Sequence, residues 1–375
     1  MASRGSLGPY LDGFRLEIVK LVALIAITSA AFVGTRALAN RTIAVGLEDA
    51  AEWHERGHDA LNDGEVGPAI EAFRRAVAKD RENKAYGVSL ADALAIDGQS
   101  VQAERILLAL RENEPEDPGI NLDLARLAAN RSDVPTALRY YQSALYAPPE
   151  DEDVPRQIRL ELIRFLLQHD QKERALSELI AAVDDLGEET WRRVLVANLL
   201  LEAGDPPRAL EQFEAVLADE RDNRDASAGA GRAAFELGDY AATVRHLEAG
   251  GDAPELADMR ETARLVLARD PLAPRIGASE RRRRLADNFA HVSMRLEACV
   301  PEGSPPPPEI AGLAQDIGEL ERQVARTPGD PDLVEDGVAL AHRAELLLGA
   351  RCGGTSDPLD RALVLIGERR LGGES

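Results

Sequence analysis

Aromatic residues and cysteine are both scarce in this sequence. Only 4% of its 375 residues are Phe, Trp or Tyr, and only two are cysteine. Two cysteines exclude a disulfide-dense scaffold and a zinc module built from several cysteines. A core with few aromatic residues has to be filled by Ala, Leu and Val, which suit closely packed helices better than sheets. The composition therefore predicts an all-α protein.

Basic residues are also fewer than acidic residues. The chain has 44 Lys and Arg against 66 Asp and Glu, a net charge of -22, which argues against binding DNA or RNA through bulk charge. Its 45% hydrophobic residues are enough to bury a core. The sequence contains no Gly-rich phosphate loop, no dinucleotide-binding fingerprint and no G-x-S-x-G turn. We therefore expect no catalytic residues, cofactor, nucleic-acid partner or small-molecule substrate.

The N-terminal region contains one long apolar run. Residues 21–34 carry no charge, and basic residues flank the run on both sides. A helix from Ile18 to Ala39 would have about 22 residues and a length of about 33 Å, enough to span a bilayer. The run also fits the core of a cleaved signal peptide, because the small-x-small sequence Ala37-Leu38-Ala39 follows it. A third interpretation is a soluble buried helix.

These interpretations lead to different locations for the protein. We favour an uncleaved single-pass anchor over residues 1–40 with the N-terminus inside the cell, so that the membrane is contacted through this helix. Cleavage after Ala39 would instead give a secreted or periplasmic protein. Both interpretations place everything after residue 40 outside the cytoplasm.

The middle of the chain repeats with a period of 34 residues, interrupted once by a four-residue insertion near residues 150–153. A small residue recurs at this spacing: Ala69, Ala103, Ala137, Ala175, Ala209 and Thr243. Four positions after each comes a larger residue: Phe73, Leu107, Tyr141, Leu179, Phe213 and Leu247. Five positions before each comes a turn residue: Gly64, Gly98, Ser132, Asp170, Gly204 and Gly238. Between the turns, apolar residues follow the helical period.

This pattern resembles the tetratricopeptide repeat, with Trp53, Gly57, Ala69 and Phe73 in register in the first unit. The resemblance covers roughly residues 50–250. It implies a right-handed superhelix of about six helix-turn-helix repeats, in which neighbouring units bury each other's apolar sides. We place this array at residues 48–270, with residues 254–269 as its capping helix. A small C-terminal helical bundle is predicted for residues 279–375, from four amphipathic segments.

The two cysteines fall in this predicted bundle. Cys299 ends its first helix and Cys352 ends its third. In an up-down-up bundle these helices run parallel, so their C-terminal ends lie together. We therefore predict a disulfide between Cys299 and Cys352 in an oxidising compartment; the alternative is two unrelated small apolar residues.

The resemblance also implies a concave groove, lined by the first helix of each repeat, as the partner-binding site. The polar residues expected there are His54, His58, Asn62, Asp92, Arg126, Asn130, Arg164, Gln168, Asn198 and Arg232. Arg side chains could bind carboxylates of an extended peptide, and amides could bind its backbone. The alternative is that these are ordinary solvated residues.

Two further motifs carry residues with possible chemistry. His54-Glu55-Arg56-Gly57-His58 matches the zinc-hydrolase pattern H-E-x-x-H, but Gly57 is already a repeat position, and no metal is expected. The run Arg281–Arg284 could contact nucleic acid or anionic lipid, although a solvated helix face is the simpler interpretation.

The sequence as a whole predicts a non-catalytic scaffold or adaptor. It would bind a protein or peptide on the extracytoplasmic side of a membrane. Envelope proteins of similar build assist the translocation, folding or assembly of exported proteins, and the resemblance implies such a role here. A membrane-anchored adaptor facing the cytoplasm is the alternative, and a zinc hydrolase using His54 and His58 is a remote one. The sequence does not indicate an oligomeric state.

Overall fold

The computed structural model describes residues 8–146, 153–183, 189–251, 253–327, 330–353 and 357–371. Over these ranges the chain forms seventeen α-helices and no strand, which confirms the all-α prediction. The chain divides into two compact units, residues 1–158 and 159–375. The predicted insertion near residues 150–153 lies outside the described residues except for Asp153. The predicted domain limits at residues 40, 48, 270 and 279 stay predictions.

The first unit contains three helix pairs. Their helices are α1 (Gly8–Asn62), α2 (Val66–Lys79), α3 (Lys84–Ile96), α4 (Ser100–Asn113), α5 (Pro118–Asn130) and α6 (Val134–Leu145). Within each pair the two helices are joined by a short turn and pack against each other. The predicted turn residues Gly64, Gly98 and Ser132 all have a positive φ, the left-handed conformation that ends a helix. The turn signals of the repeat therefore coincide with the observed helix ends.

A residue without a side chain and a large residue meet at the crossing of α1 and α2. Ala69 and Phe73 are fully buried in α2. A β-carbon added at Gly57 of α1 would lie 2.4 Å from the Phe73 ring. The absence of a side chain at Gly57 therefore allows α1 and α2 to approach closely enough for Phe73 to fill the space between them.

The N-terminal segment differs from the prediction. It forms one continuous helix with the first repeat helix, because α1 runs from Gly8 to Asn62. The described side chains between residues 20 and 42 are exposed. No helix in the described part of the chain combines the length and the apolar character that crossing a membrane requires. The predicted transmembrane helix is therefore not supported.

The second unit begins within α7 (Asp153–Gln168) and continues the helix pairs. The further helices are α8 (Lys172–Val183), α9 (Thr190–Ala203), α10 (Pro206–Asp219), α11 (Arg224–Glu236), α12 (Tyr240–Ala249), α13 (Pro254–Arg269), α14 (Ala278–Ala298), α15 (Pro308–Arg326), α16 (Pro331–Cys352) and α17 (Pro358–Leu371). One hydrophobic core contains Tyr240 of α12, Ala263 of α13 and apolar residues of α14 to α17. The last repeat helices and the C-terminal helices thus share a core.

A disulfide joins two helix ends in this unit. Cys299 directly follows α14 and Cys352 is the last residue of α16, and the two are bonded with their α-carbons 5.7 Å apart. The bond closes a segment with a sequence separation of 53 residues. Closing so long a segment restricts the unfolded chain, which stabilises the folded unit.

Asn121 is the buried polar residue that fixes the turn between α4 and α5. Its side chain is fully buried; it accepts a hydrogen bond from Arg111 Nε at 2.8 Å and donates to the carbonyls of Pro115 at 2.9 Å and Asp117 at 2.8 Å. All of its hydrogen-bonding atoms are therefore used in holding one repeat unit against the next.

We predict that Asn121→Ala lowers the free energy of unfolding by about 1–3 kcal/mol, because it leaves buried groups without hydrogen-bond partners. Asn130→Ala is the control, since Asn130 is exposed on the same helix and its loss should change stability by less than about 0.5 kcal/mol. Urea denaturation followed by circular dichroism measures both. Equal stability of the two variants would contradict this role of Asn121.

Candidate functional site

The polar residues predicted to line a groove lie on the first helices of the pairs. In the first unit they lie on α1, α3 and α5, and in the second on α7, α9 and α11. The first set is called the first-unit surface and the second set the second-unit surface. The first-unit surface comprises His54, His58, Asn62, Asp92, Arg126 and Asn130. The second-unit surface comprises Arg164, Gln168, Asn198 and Arg232.

His54 connects α1 to α3 on the first-unit surface, and His58 contacts His54. His54 Nε2 lies 2.9 Å from Ser89 Oγ of α3 and 3.2 Å from His58 Nε2 one turn along α1. The ring of His54 also packs on Phe73 and Tyr86, with centroids 5.5 and 4.7 Å away. Burial lowers the pKa of His54, and the charge of His58 lowers it further, so His54 is neutral at pH 7.

Asp92 and Arg126 extend this surface across α3 and α5, which pack against each other. Both side chains are exposed. Desolvation by its surroundings nevertheless raises the pKa of Asp92, while the positive charges of Arg126 and His58 oppose the rise. Arg126 Nη1 also contacts Asp123 Oδ1 at 3.1 Å within α5. His58, Asp92 and Arg126 therefore form an electrostatically coupled row over three neighbouring first helices.

The last residues of α1, α3 and α5 lie about one helical turn beyond the row. Asn62 ends α1 and Asn130 ends α5, and both are exposed. Between them Ile96 ends α3 with 64% of its surface exposed. The first-unit surface thus combines amide, carboxylate, guanidinium and apolar groups, which can form hydrogen bonds, ion pairs and apolar contacts with an extended peptide.

The described residues of the second-unit surface form no such contacts with one another. Arg164, Gln168 and Arg232 are exposed, and among the described residues no hydrogen bond or ion pair joins them to one another. Asn198 Nδ2 donates to Val194 O at 2.9 Å within its own helix. Trp191 at the start of α9 is 59% exposed, with the guanidinium of Arg192 5.3 Å from its ring centroid. These residues present separate polar groups, without the coupling seen in the first unit.

Ser89 is the residue of this site that the sequence reasoning missed. It lies three positions before Asp92, so the two share one face of α3. That spacing was the available signal, but a serine on a helix is common and carries no specific chemistry on its own.

The zinc-hydrolase pattern at His54 and His58 would need a third metal ligand beside the two histidines. The two Nε2 atoms are close, but no third metal ligand lies with them in the described ranges. Both rings pack on Phe73. These histidines therefore belong to the repeat packing and to the polar surface.

The run Arg281–Arg284 is largely engaged within the protein. Arg281 Nε donates to Ile276 O at 3.3 Å, and Arg283 binds Glu280 and Asp287. Arg284 binds Glu280 and the carbonyls of Leu267 and Asp270. Together Arg283 and Arg284 lower the pKa of Glu280 to about 2. These contacts agree with a solvated helix face rather than a nucleic-acid or lipid site.

Comparison with known families identifies the repeat. Residues 54–118, 98–155 and 196–249 match the tetratricopeptide repeat family. These segments are tetratricopeptide repeats. The matched residues of this repeat protein include α3, α4, α5 and α6, and they also cover α10 and α11. Repeats of this kind are protein-interaction modules.

Several solved structures resemble the repeat protein. YrrB, described as a tetratricopeptide repeat protein with an unusual peptide-binding site, shares 20% identity over 52% of this chain and 98% of its own, with a TM-score of 0.41. A tetratricopeptide repeat protein from Parabacteroides merdae shares 15% identity over 78% of this chain and 99% of its own, with a TM-score of 0.41.

PilW, described as a widely conserved type IV pilus biogenesis factor, shares 15% identity over 53% of this chain and 90% of its own, with a TM-score of 0.41. At these TM-scores the likenesses add nothing to the family assignment. No match was found among curated proteins.

Proposed function

We propose that the protein is a non-catalytic scaffold that binds an extended peptide, or an exposed segment of a partner protein, on the first-unit surface. The observation that carries this proposal is the row His58–Asp92–Arg126, which spans three neighbouring first helices. Because successive first helices contribute one polar or charged side chain each, the row runs across the helices in the direction that an extended chain would follow.

The chemistry of the row suits a peptide with charges of both signs. Arg126 offers a planar guanidinium that binds a carboxylate with two hydrogen bonds. Asp92 offers an acceptor for a Lys or Arg side chain or for backbone N–H groups. Binding a cation would remove the penalty that desolvation imposes on the Asp92 carboxylate, so such a partner is favoured over an acidic one at that position.

Selection from a displayed library of random 12-residue peptides, with the full chain as bait, supplies a probe. We expect a selected peptide to lose at least about tenfold in affinity on Arg126→Glu and on Asp92→Lys, measured by fluorescence polarisation. Arg105→Glu is the matched control, because Arg105 is exposed on α4, a second helix, and its charge reversal should leave binding unchanged.

Unchanged binding by the variants would contradict the proposal. If the selected peptides bind all three variants as tightly as the wild type, the first-unit surface is not their site. Equal losses on Arg126→Glu and Arg105→Glu, without a loss on Asp92→Lys, would indicate dependence on net charge only. A similar selection repeated with Arg164→Glu and Arg232→Glu reports on the second-unit surface independently.

We further propose that the protein works on the extracytoplasmic side of a membrane, with its N-terminal segment acting as an export signal, whether cleaved after Ala39 or retained. Two observations support this. Residues 21–34 form an uncharged apolar run, and both cysteines of the chain form a disulfide, a bond that persists in oxidising compartments. A role in the translocation, folding or assembly of exported proteins fits this location.

Thiol alkylation in cells tests the location. The full chain is expected to show no reactive thiols before reduction and two after it, whereas a variant lacking residues 2–40 should stay in the cytoplasm and show two throughout. A reporter fused after residue 60 gives an independent readout. Two free thiols in the full chain, together with a reporter active only in the cytoplasm, would instead support the cytoplasm-facing adaptor.

A further inference from the structure

The N-terminal part of α1 leaves large apolar side chains uncovered. Leu24, Leu38 and Val45 are 61%, 68% and 57% exposed. Leu38 and Val45 lie beyond the uncharged run at residues 21–34, so the proposed export signal does not account for them. Apolar surface that continues along one helix in this way marks an interaction site.

The exposed residues of this part of α1 follow a seven-residue period. Position d of the heptad is occupied by Leu24, Ala31, Leu38 and Val45. Position a, four residues after each of the first three, is occupied by Thr28, Thr35 and Thr42. All seven side chains, which we call the heptad seam, are exposed. A seven-residue period is typical of a helix that winds around another helix, because a second helix running alongside contacts positions a and d in turn.

The threonines of the heptad seam are compatible with a buried contact. The hydroxyl of each donates to the carbonyl four residues earlier, from Thr28 to Leu24 at 2.9 Å, from Thr35 to Ala31 at 3.0 Å and from Thr42 to Leu38 at 2.9 Å. Covering the seam therefore leaves no hydroxyl without an acceptor. Threonine is β-branched, and β-branched residues at position a with leucine at position d favour a parallel pair of helices.

The position of the heptad seam favours a helix over a lipid bilayer as the partner. A bilayer would surround the apolar run on all sides, whereas the seam is a single line that continues past Arg36 and Arg41 to Val45. Its next two positions are Asp49 and Glu52, and Asp49 pairs with Lys79 of α2 at 2.6 Å. The seam thus ends where α1 begins to pack on the rest of the first unit.

We propose that the heptad seam pairs with the same seam of a second copy of this chain, as a parallel two-stranded coiled coil over residues 24–45. In a parallel pair each seam residue lies against its own counterpart, so one line of residues serves both helices. The exposed apolar residues Ile27 and Phe32 flank the seam and extend the contact. The pairing requires that the N-terminal segment is retained, and it does not depend on peptide binding.

A dimer of this kind would carry two first-unit surfaces. A partner with two binding segments would then be held more tightly than by one surface, because the second segment binds at a high effective concentration. The heptad seam would in this way set the valency of the scaffold.

Cysteine crosslinking of the full chain in cells tests the pairing. Thr28→Cys and Leu38→Cys place a thiol on the seam, and Ser29→Cys and Val33→Cys are the matched controls, exposed on the same helix but off the seam. With a short bismaleimide, both seam variants should give at least about fivefold more crosslinked dimer than the controls. The wild type supplies the background, since both of its cysteines are bonded to each other.

The size of the products completes the test. The crosslinked species should have twice the 40.5 kDa mass of the chain. Equal crosslinking at seam and control positions, as expected for helices that collide in a bilayer, would overturn the proposal. A product with the mass of a different partner would overturn it too, as would isolation of a chain that lacks residues 1–39. The location of the protein is read from the native cysteines and the reporter, so either proposal can fail without the other.

Discussion

The close fit of a residue without a side chain on one helix against a large apolar residue on its neighbour is the contact on which this architecture depends. It joins Gly57 to Phe73 in the first unit, and Gly229 to Phe213 and Gly231 to Leu247 in the second. A single amphipathic helix of 12–14 residues, the length of most repeat helices here, is marginal in water. Each helix is therefore stable only because a neighbour covers its apolar side, and stacking of the pairs follows from that need.

This way of stacking also produces the candidate site. Because each second helix fills the space behind its pair, successive first helices come to lie side by side, as α3 and α5 do. Their exposed positions form a row in which each helix contributes one group, here His58, Asp92 and Arg126. The same stacking places Ser89 of α3 beside His54 of α1. The proposed recognition would thus use side chains that the packing leaves exposed, and it would require no change in the core.

The regular part of the fold could be predicted because its signals are local. The 34-residue spacing correctly placed the buried Ala69 and Phe73 and the left-handed turn at Gly98. Helix continuity was harder to predict. Residues 35–45 contain neither glycine nor proline, and nothing in them ends a helix, so α1 runs on through the limit expected near residue 40.

Contacts between residues far apart in the sequence could not be predicted from any sequence pattern. The pair of His291 and Asp360 is separated by 69 residues, and Arg295 and Glu345 by 50. A lone histidine and scattered acidic residues are ordinary on helices, and only the packing of α14 against α16, and of α16 against α17, brings them together. The groove residues of the second unit show the opposite case: they fit the repeat pattern, yet Asn198 bonds within its own helix.

A comparison of two glycine substitutions tests the packing contact most directly. Gly57 and Gly46 both lie in the interior of α1, but a β-carbon at Gly57 would meet Phe73 at 2.4 Å, whereas one at Gly46 would meet nothing within 4 Å. The account predicts that Gly57→Ala lowers the free energy of unfolding by about 1–3 kcal/mol, because it overpacks the crossing. Gly46→Ala should raise it by up to about 1 kcal/mol through helix propensity. Stabilisation by both substitutions in urea denaturation would contradict the account.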